Sequence, residues 1–141
     1  MIGAEIFDGR TKLTFFDPIG SGRVVDYLSV RIEEPDMSAR RQVYGGWADG
    51  FVSLARYFDS LVESWRGWDG ERVYESIEHD QRLAAVHDGH VRIAILLAES
   101  TDPWGWQVRA MVKIEAGEQL SAAARDVSEL VRVNPSAASP A

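Results

Sequence analysis

The segment ADGFVSLARYFDSLVESWRGWDGERVYESIEHDQRLAAVHDGH, residues 48–90, is the most informative part of the sequence, because its hydrophobic spacing changes from helical to extended within a few residues. Apolar residues from Phe51 to Trp65 recur at helical spacing, so the pattern predicts an amphipathic helix with one buried stripe. Gly67 is placed to end that helix, since glycine readily adopts the left-handed conformation of a helix C-terminus. Beyond Gly70 the pattern is typical of strands separated by tight turns.

Alternating apolar and polar residues predict strands on both sides of this helix. Before it, Leu28, Val30 and Ile32 alternate with polar neighbours. Residues 37–43 are their predicted hairpin partner, although Arg41 interrupts the apolar face of that strand. After the helix, the predicted strands cover residues 73–78, 82–87, 90–98 and 106–114.

A second stretch with helical spacing follows the last predicted strand, from Leu120 to Val131. The order is strands, helix, four strands, helix. We therefore predict an α+β fold, with one antiparallel sheet of about six to eight strands in meanders and two amphipathic helices packed on one face. We expect a single domain over residues 1–133 and a disordered tail over residues 134–141, where prolines and small residues predominate.

The composition excludes several classes of function. The net charge of -7 disfavours nucleic acid and anionic membrane surfaces, and it favours a basic protein partner. The absence of cysteine excludes disulfides and thiolate metal sites. The N-terminus lacks the features of a signal peptide, and no apolar stretch has the length of a membrane span, so we expect a cytoplasmic protein.

The histidines are the strongest candidates for chemistry. His87 and His90 flank a predicted Asp-Gly hairpin turn, so a metal or general-base site there is conceivable, with His79 or Asp88 as a further ligand. This spacing matches no strong motif, and polar residues at hairpin ends are the preferred interpretation. Nucleophile-elbow and phosphate-loop motifs do not occur. We predict no catalytic residue, no metal and no cofactor.

Five tryptophans are many for a chain of 141 residues. The spacing places Trp65 and Trp106 in the predicted core. Trp68 and Trp104 lie near element ends, where a tryptophan can contact a partner through a large apolar surface and one N–H donor. With their acidic neighbours they form the predicted partner-binding set, Trp68, Asp69, Glu71, Asp102 and Trp104.

A W-x-G-W-x-G core, residues 65–70, is the most distinctive motif of the chain. It is followed by Tyr74-Glu75-Ser76, Leu83-Ala84-Ala85 and the turn Asp88-Gly89-His90-Val91. In these motifs, and in the closing strand-to-helix segment near residues 115–120, the chain resembles an uncharacterised family of small, mostly actinobacterial proteins of unknown function. The likeness covers residues 22–131 and implies no catalytic residues. The element order also resembles that of toxin-immunity proteins.

The leading functional hypothesis is a non-enzymatic cytoplasmic interaction module, for example an immunity protein that neutralises a basic toxin by occlusion. The alternative is a small-ligand module for a carbohydrate or nucleoside, in which Trp68 and Trp104 line one pocket as stacking platforms. A hydrolase that uses His87 and His90 is a third hypothesis. An exposed edge strand near residues 24–33 would further allow a homodimer.

Overall fold

The structure, a computed structural model, describes residues 3–20, 24–46, 48–100 and 102–132. Over these residues the chain forms eight strands and two helices in two halves of similar layout. The first half comprises β1 (Gly3–Phe7), β2 (Lys12–Ile19), β3 (Tyr27–Glu34), β4 (Met37–Tyr44) and α1 (Val52–Glu63). The second comprises β5 (Arg72–Glu75), β6 (Gln81–His87), β7 (Val91–Ala98), β8 (Gln107–Ile114) and α2 (Glu118–Arg132). The predicted tail, 134–141, lies outside the described residues.

The strands form two antiparallel four-stranded sheets, β1-β2-β3-β4 and β5-β6-β7-β8, each ordered as in the chain. The predicted α+β class, the meanders and the element order are confirmed, with the strands divided between two sheets. The β3–β4 hairpin is confirmed as well, and its register pairs Arg41 with Val30 on the inner face. The interruption noted in the sequence is therefore an arginine that points inward.

The prediction that residues 24–33 form an exposed edge strand was wrong. In the structure β3 hydrogen-bonds to β2 on one side and to β4 on the other, so its backbone groups are already paired. The strands that end the two sheets are β1, β4, β5 and β8. A strand-paired dimer would have to use one of these.

One hydrophobic core receives side chains from both sheets and both helices. The Phe15 ring of β2 meets Phe58 of α1 edge to face, with centroids 6.2 Å apart. The predicted helical stripes are buried: α1 contributes Leu54, Ala55, Phe58 and Leu61, and α2 contributes Leu120, Ala123, Ala124, Val127, Leu130 and Val131. No helix in the described part of the chain combines the length and apolar character needed to cross a bilayer.

Two of the tryptophans predicted in the core are substantially exposed, Trp65 by 48% and Trp106 by 39%. Helix α1 ends at Glu63, earlier than predicted, and the Trp65 N–H bonds to the Val62 carbonyl, three residues back. This tighter turn takes Trp65 off the buried stripe. Trp106 precedes β8 and lies at the rim of its sheet, where its carbonyl accepts the Glu99 N–H.

Candidate functional site

The β7–β8 loop holds Trp104 in the solvent, where 90% of its surface is exposed. The Ser100 hydroxyl accepts the backbone N–H of Asp102 at 3.0 Å, and the Asp102 carboxylate accepts the backbone N–H of Trp104 at 2.9 Å. The bond from the Glu99 N–H to the Trp106 carbonyl, 2.9 Å long, closes the loop at its base. The described part of the loop, residues 102–106, therefore presents the ring from a hydrogen-bonded backbone, and Asp102 supplies one of these bonds.

The β5–β6 turn lies beside this loop. The Ala98 N–H bonds to the Asp80 carbonyl at 2.8 Å, and a small cavity of about 120 Å³ is lined by Arg41, Glu78, Asp80 and Ser100. Ile77 is 56% exposed on the turn. We call this part of the surface the Trp104 end and define it by five of its exposed residues, Ile77, Glu78, Glu99, Asp102 and Trp104. It combines two large apolar side chains with three carboxylates.

Trp68, in contrast, is engaged in the fold. Its indole N–H donates to the Ala85 carbonyl at 3.1 Å, and its ring meets the His87 ring edge to face at 5.2 Å. The Arg72 guanidinium lies 5.0 Å from the centre of the same ring. Trp68 therefore fastens the turn after α1 to strand β6.

Asp69 and Glu71, the acidic neighbours of Trp68, are exposed. The Glu71 carboxylate lies 3.9 Å from the Arg82 guanidinium, a long and solvent-exposed ion pair. Surface pairs of this kind contribute little stability, about 0–1 kcal/mol. Both carboxylates thus remain accessible to a partner, at a different place from the Trp104 end.

The five predicted partner residues form two groups at opposite ends of the second sheet. Trp68 contacts His87, which pairs with Val91 at the start of β7, whereas the Trp104 loop follows Ala98 at the end of β7. The seven steps from Val91 to Ala98, at about 3.4 Å each, span about 24 Å. The small-ligand hypothesis requires both rings to line one pocket, and the two rings are too far apart for that.

A larger cavity of about 490 Å³ lies between the β4–α1 loop, the start of α1 and the β5–β6 turn. Its lining includes Gly45, Gly46, Ser53, Tyr74 and Ile77, and neither Trp68 nor Trp104 takes part. Burial raises the pKa of Tyr74 to about 12, and a hydrogen bond with Ser53 opposes the increase. The phenol therefore stays protonated at neutral pH.

The three histidines have separate partners. His79 lies 3.0 Å from the Glu75 carboxylate and His90 lies 3.1 Å from that of Glu115. In His87, Nδ1 accepts the Gly89 N–H, so Nε2 carries a proton that it donates to the Trp65 carbonyl at 2.8 Å. Over the ranges that the structure describes, no three histidine, aspartate or glutamate side chains are grouped to hold a metal ion.

A buried polar cluster connects the two sheets and was not predicted as a unit. Asp80, 1% exposed, accepts the Arg41 Nε–H on one carboxylate oxygen and the Ser76 hydroxyl on the other, at 2.6 Å each. The Ser76 oxygen in turn accepts the backbone N–H groups of Asp80 and Gln81. Because Ser76 is buried and its oxygen is fully engaged, the cluster fixes the β5–β6 turn and is not arranged as a nucleophile.

The sequence held one signal for this cluster, since an arginine on an apolar strand face needs a buried acceptor.

Comparison with known proteins shows the family to which the chain belongs. The sequence model of a family of unknown function, DUF6228, matches residues 6–134. The chain belongs to the DUF6228 family. The resemblance drawn from the W-x-G-W-x-G motif to a family of unknown function is thereby confirmed, whereas the immunity likeness of this DUF6228 member stays a prediction. No curated protein and no solved structure matches the chain.

Proposed function

We propose that this DUF6228 member is a protein-interaction module that acts by binding a basic partner, with the Trp104 end as its contact surface. The exposure of Trp104 carries the proposal. A tryptophan that is 90% exposed on a hydrogen-bonded loop contributes nothing to the core, yet it offers the type of side chain that most often dominates a protein interface.

The hydrogen bonds of the described loop residues support this function on energetic grounds. Binding costs free energy for each side chain or loop that has to be ordered, roughly 0.5–1.5 kcal/mol per flexible side chain. The Asp102 carboxylate already holds the Trp104 backbone in place through its hydrogen bond. Part of the ordering cost is thus met in the free protein, which raises the affinity that a single ring can provide.

The charge around the ring selects the class of partner. Three carboxylates, Glu78, Glu99 and Asp102, are exposed at the same end as Trp104, and the whole chain carries a net charge of -7. Complementary charge accelerates encounter and excludes partners of like charge. Occlusion of a basic toxin by an immunity protein is one specific form of this function, and we propose it as the first form to test.

The experiment is quantitative affinity capture from a lysate of the native host, with three tagged baits: the wild-type chain, Trp104→Ala and Trp65→Ala. Trp65 is the matched control, because it is also an exposed tryptophan but lies at the far end of α1. We expect a basic protein that wild type and Trp65→Ala retain equally and that Trp104→Ala loses. Retention should weaken as salt rises.

Equal retention by all three baits would overturn the assignment of the Trp104 end. Retention of only acidic proteins would overturn the assigned partner class. A recovered partner should then be co-expressed with the chain in a test host, where an immunity role predicts that the wild-type chain, and not Trp104→Ala, relieves toxicity.

A further inference from the structure

The outer face of the second sheet has a charge opposite to that of the molecule. Strands β6, β7 and β8 contain no aspartate or glutamate, although the chain has 22 such residues. They do contain four cations, Arg82, Arg92, Arg109 and Lys113. Direct cross-strand pairs share a face, and the register joins Arg82 to Leu96, Leu96 to Arg109, and Arg92 to Lys113. All four cations therefore lie on the face that points away from the core, and Glu75 of β5, directly opposite Arg82, lies on the same face.

An apolar stripe crosses the same face between the cations. Val73, Ala84, Ala94 and Met111 lie opposite one another on β5, β6, β7 and β8. Val73 is 46% exposed and Met111 is 51% exposed. One side of this stripe is bordered by the next row of paired residues, Glu75, Arg82, Leu96 and Arg109. A shallow cavity of about 300 Å³ opens between the stripe and this row.

The cations of β8 have no ion-pair partner among the described residues, although the Asp8 carboxylate accepts the backbone N–H of Lys113 at 3.0 Å. Arg92 bonds to Asp88 at 3.0 Å, and Arg82 lies 3.9 Å from Glu71. Arg109 and Lys113, on either side of Met111, form no salt bridge with any residue in the described ranges. Two cations without an ion pair, beside an exposed apolar side chain, form a surface that anionic, partly apolar groups complement.

We propose that this face, the outer surface of β5–β8, docks an acidic amphipathic helix of a partner protein. The stripe crosses four strands, and three spacings of about 4.8 Å give a length of about 14 Å, or some three helical turns. The cations lie in two rows, one on each side of the stripe. Each row is about 7 Å from the stripe, because the two are separated by two residues along each strand. A helix about 10 Å wide therefore places its apolar residues on the stripe and acidic residues from both flanks beside the cations.

This docking face is separate from the Trp104 end and selects the opposite charge. The two surfaces can be tested independently, since neither Trp104 nor its loop belongs to the stripe or to the bordering rows. The two surfaces would allow one copy of the chain to hold a basic and an acidic segment at once.

The test uses the full chain, labelled with ¹⁵N, and two designed helical peptides with the same leucine face. One peptide carries glutamates on both flanks and the other carries lysines at the same positions. We expect the acidic peptide to perturb amide signals of β6, β7 and β8, and to bind at least about tenfold more tightly than the basic peptide, a difference of about 1.4 kcal/mol. Raising the salt concentration should weaken the acidic peptide.

Charge-reversal variants locate the site. Arg109→Glu and Lys113→Glu should each lower the affinity for the acidic peptide by roughly tenfold. Arg125→Glu on the exposed side of α2 makes the same charge change elsewhere, and both it and Trp104→Ala should leave the affinity within about twofold. Unchanged amide spectra away from each substitution confirm that the variants are folded.

Three results would overturn the proposal. The first is equal affinity for the acidic and basic peptides, and the second is a set of perturbed amides outside β5–β8. The third is no detectable binding of the acidic peptide at concentrations up to about 1 mM. A dissociation constant of about 1 mM corresponds to a binding free energy of about 4 kcal/mol.

Discussion

Arg41 and Asp80 form a salt bridge between the two sheets, with Arg41 Nε 2.6 Å from Asp80 Oδ2. The carboxylate side chain is 1% exposed and the arginine side chain 27%. Removing one member of a buried pair leaves the other without compensation for the water it lost, and this costs more than the pair itself contributes. The bridge and the Ser76 hydroxyl together hold the β5–β6 turn against β4.

We predict that Asp80→Ala lowers the free energy of unfolding by about 3–5 kcal/mol, because Arg41 and Ser76 both lose their acceptor. Urea denaturation followed by circular dichroism measures this. Asp36→Ala, at an exposed position in the β3–β4 turn, removes a carboxylate as a control and should change stability by less than about 0.5 kcal/mol. A similar small loss for Asp80→Ala would show that the bridge does not hold the sheets together.

Trp68 and Trp104 should respond in opposite ways to truncation. Trp68→Ala removes packing against His87 and a bond to the Ala85 carbonyl, so we predict a loss of about 3 kcal/mol in unfolding free energy. Trp104→Ala removes an exposed ring, and the expected change is within about 0.5 kcal/mol. Parallel urea titrations decide the matter. A destabilisation of Trp104→Ala as large as that of Trp68→Ala would contradict the exposed placement of the loop.

The pH dependence of stability should include a contribution from Asp8. Partial burial alone would raise the pKa of its carboxyl, but the backbone N–H groups of Lys113, Thr11 and Arg10 bond to the ionised form and lower the pKa below 3.8. A lowered folded-state pKa stabilises the fold above the unfolded value of 3.8, and this stabilisation is lost as pH falls through the folded-state pKa.

We therefore predict that Asp8→Asn is less stable than wild type near pH 7, and that the difference shrinks at about pH 3. Urea denaturation at both pH values measures the two differences. Asp69→Asn, at an exposed carboxylate in the turn after α1, controls for the loss of one negative charge. A difference for Asp8→Asn that stays constant over this range would exclude the hydrogen bonds to the ionised carboxylate as its source.

Gly50 is a position that only glycine can occupy without strain. Its φ is +57°, and a Cβ there would lie 2.3 Å from the backbone oxygen of Val25. Gly9, with φ +94°, has no atom near a Cβ and provides the control. We predict a loss of about 1 kcal/mol for Gly9→Ala and of about 3 kcal/mol or more for Gly50→Ala, measured by thermal and urea unfolding. Equal losses would mean that the loop before α1 can move away from Val25.

The sequence predicted local structure well because hairpins and helices depend on near neighbours. The β3–β4 hairpin and the stripe of α2 were confirmed in this way. Trp65 and Trp106 were misplaced because periodicity was extended past the ends of their elements, where a tightened turn and the rim of a sheet change the direction of the side chain.

Long-range relationships were beyond the same reasoning. The bridge from Arg41 to Asp80 joins residues 39 apart in the chain, and no spacing rule relates them. The separation of Trp68 from Trp104 likewise depends on which end of β7 each contacts. The docking face was partly predictable, since the sequence shows which strands lack acidic residues. The alignment of Arg82 with Arg109 across Leu96, however, follows only from the register of the strands in the structure.

Separating the positive face of β6–β8 from the acidic remainder gives the protein an electric dipole as well as a net charge. A molecule with a dipole experiences a torque in an external field, so a charged partner would rotate this chain before the two surfaces touch. Dissolved salt limits the reach of that torque to about 8 Å at physiological ionic strength. Orientation during approach, as well as affinity after contact, would thus depend on where the strands keep their arginines.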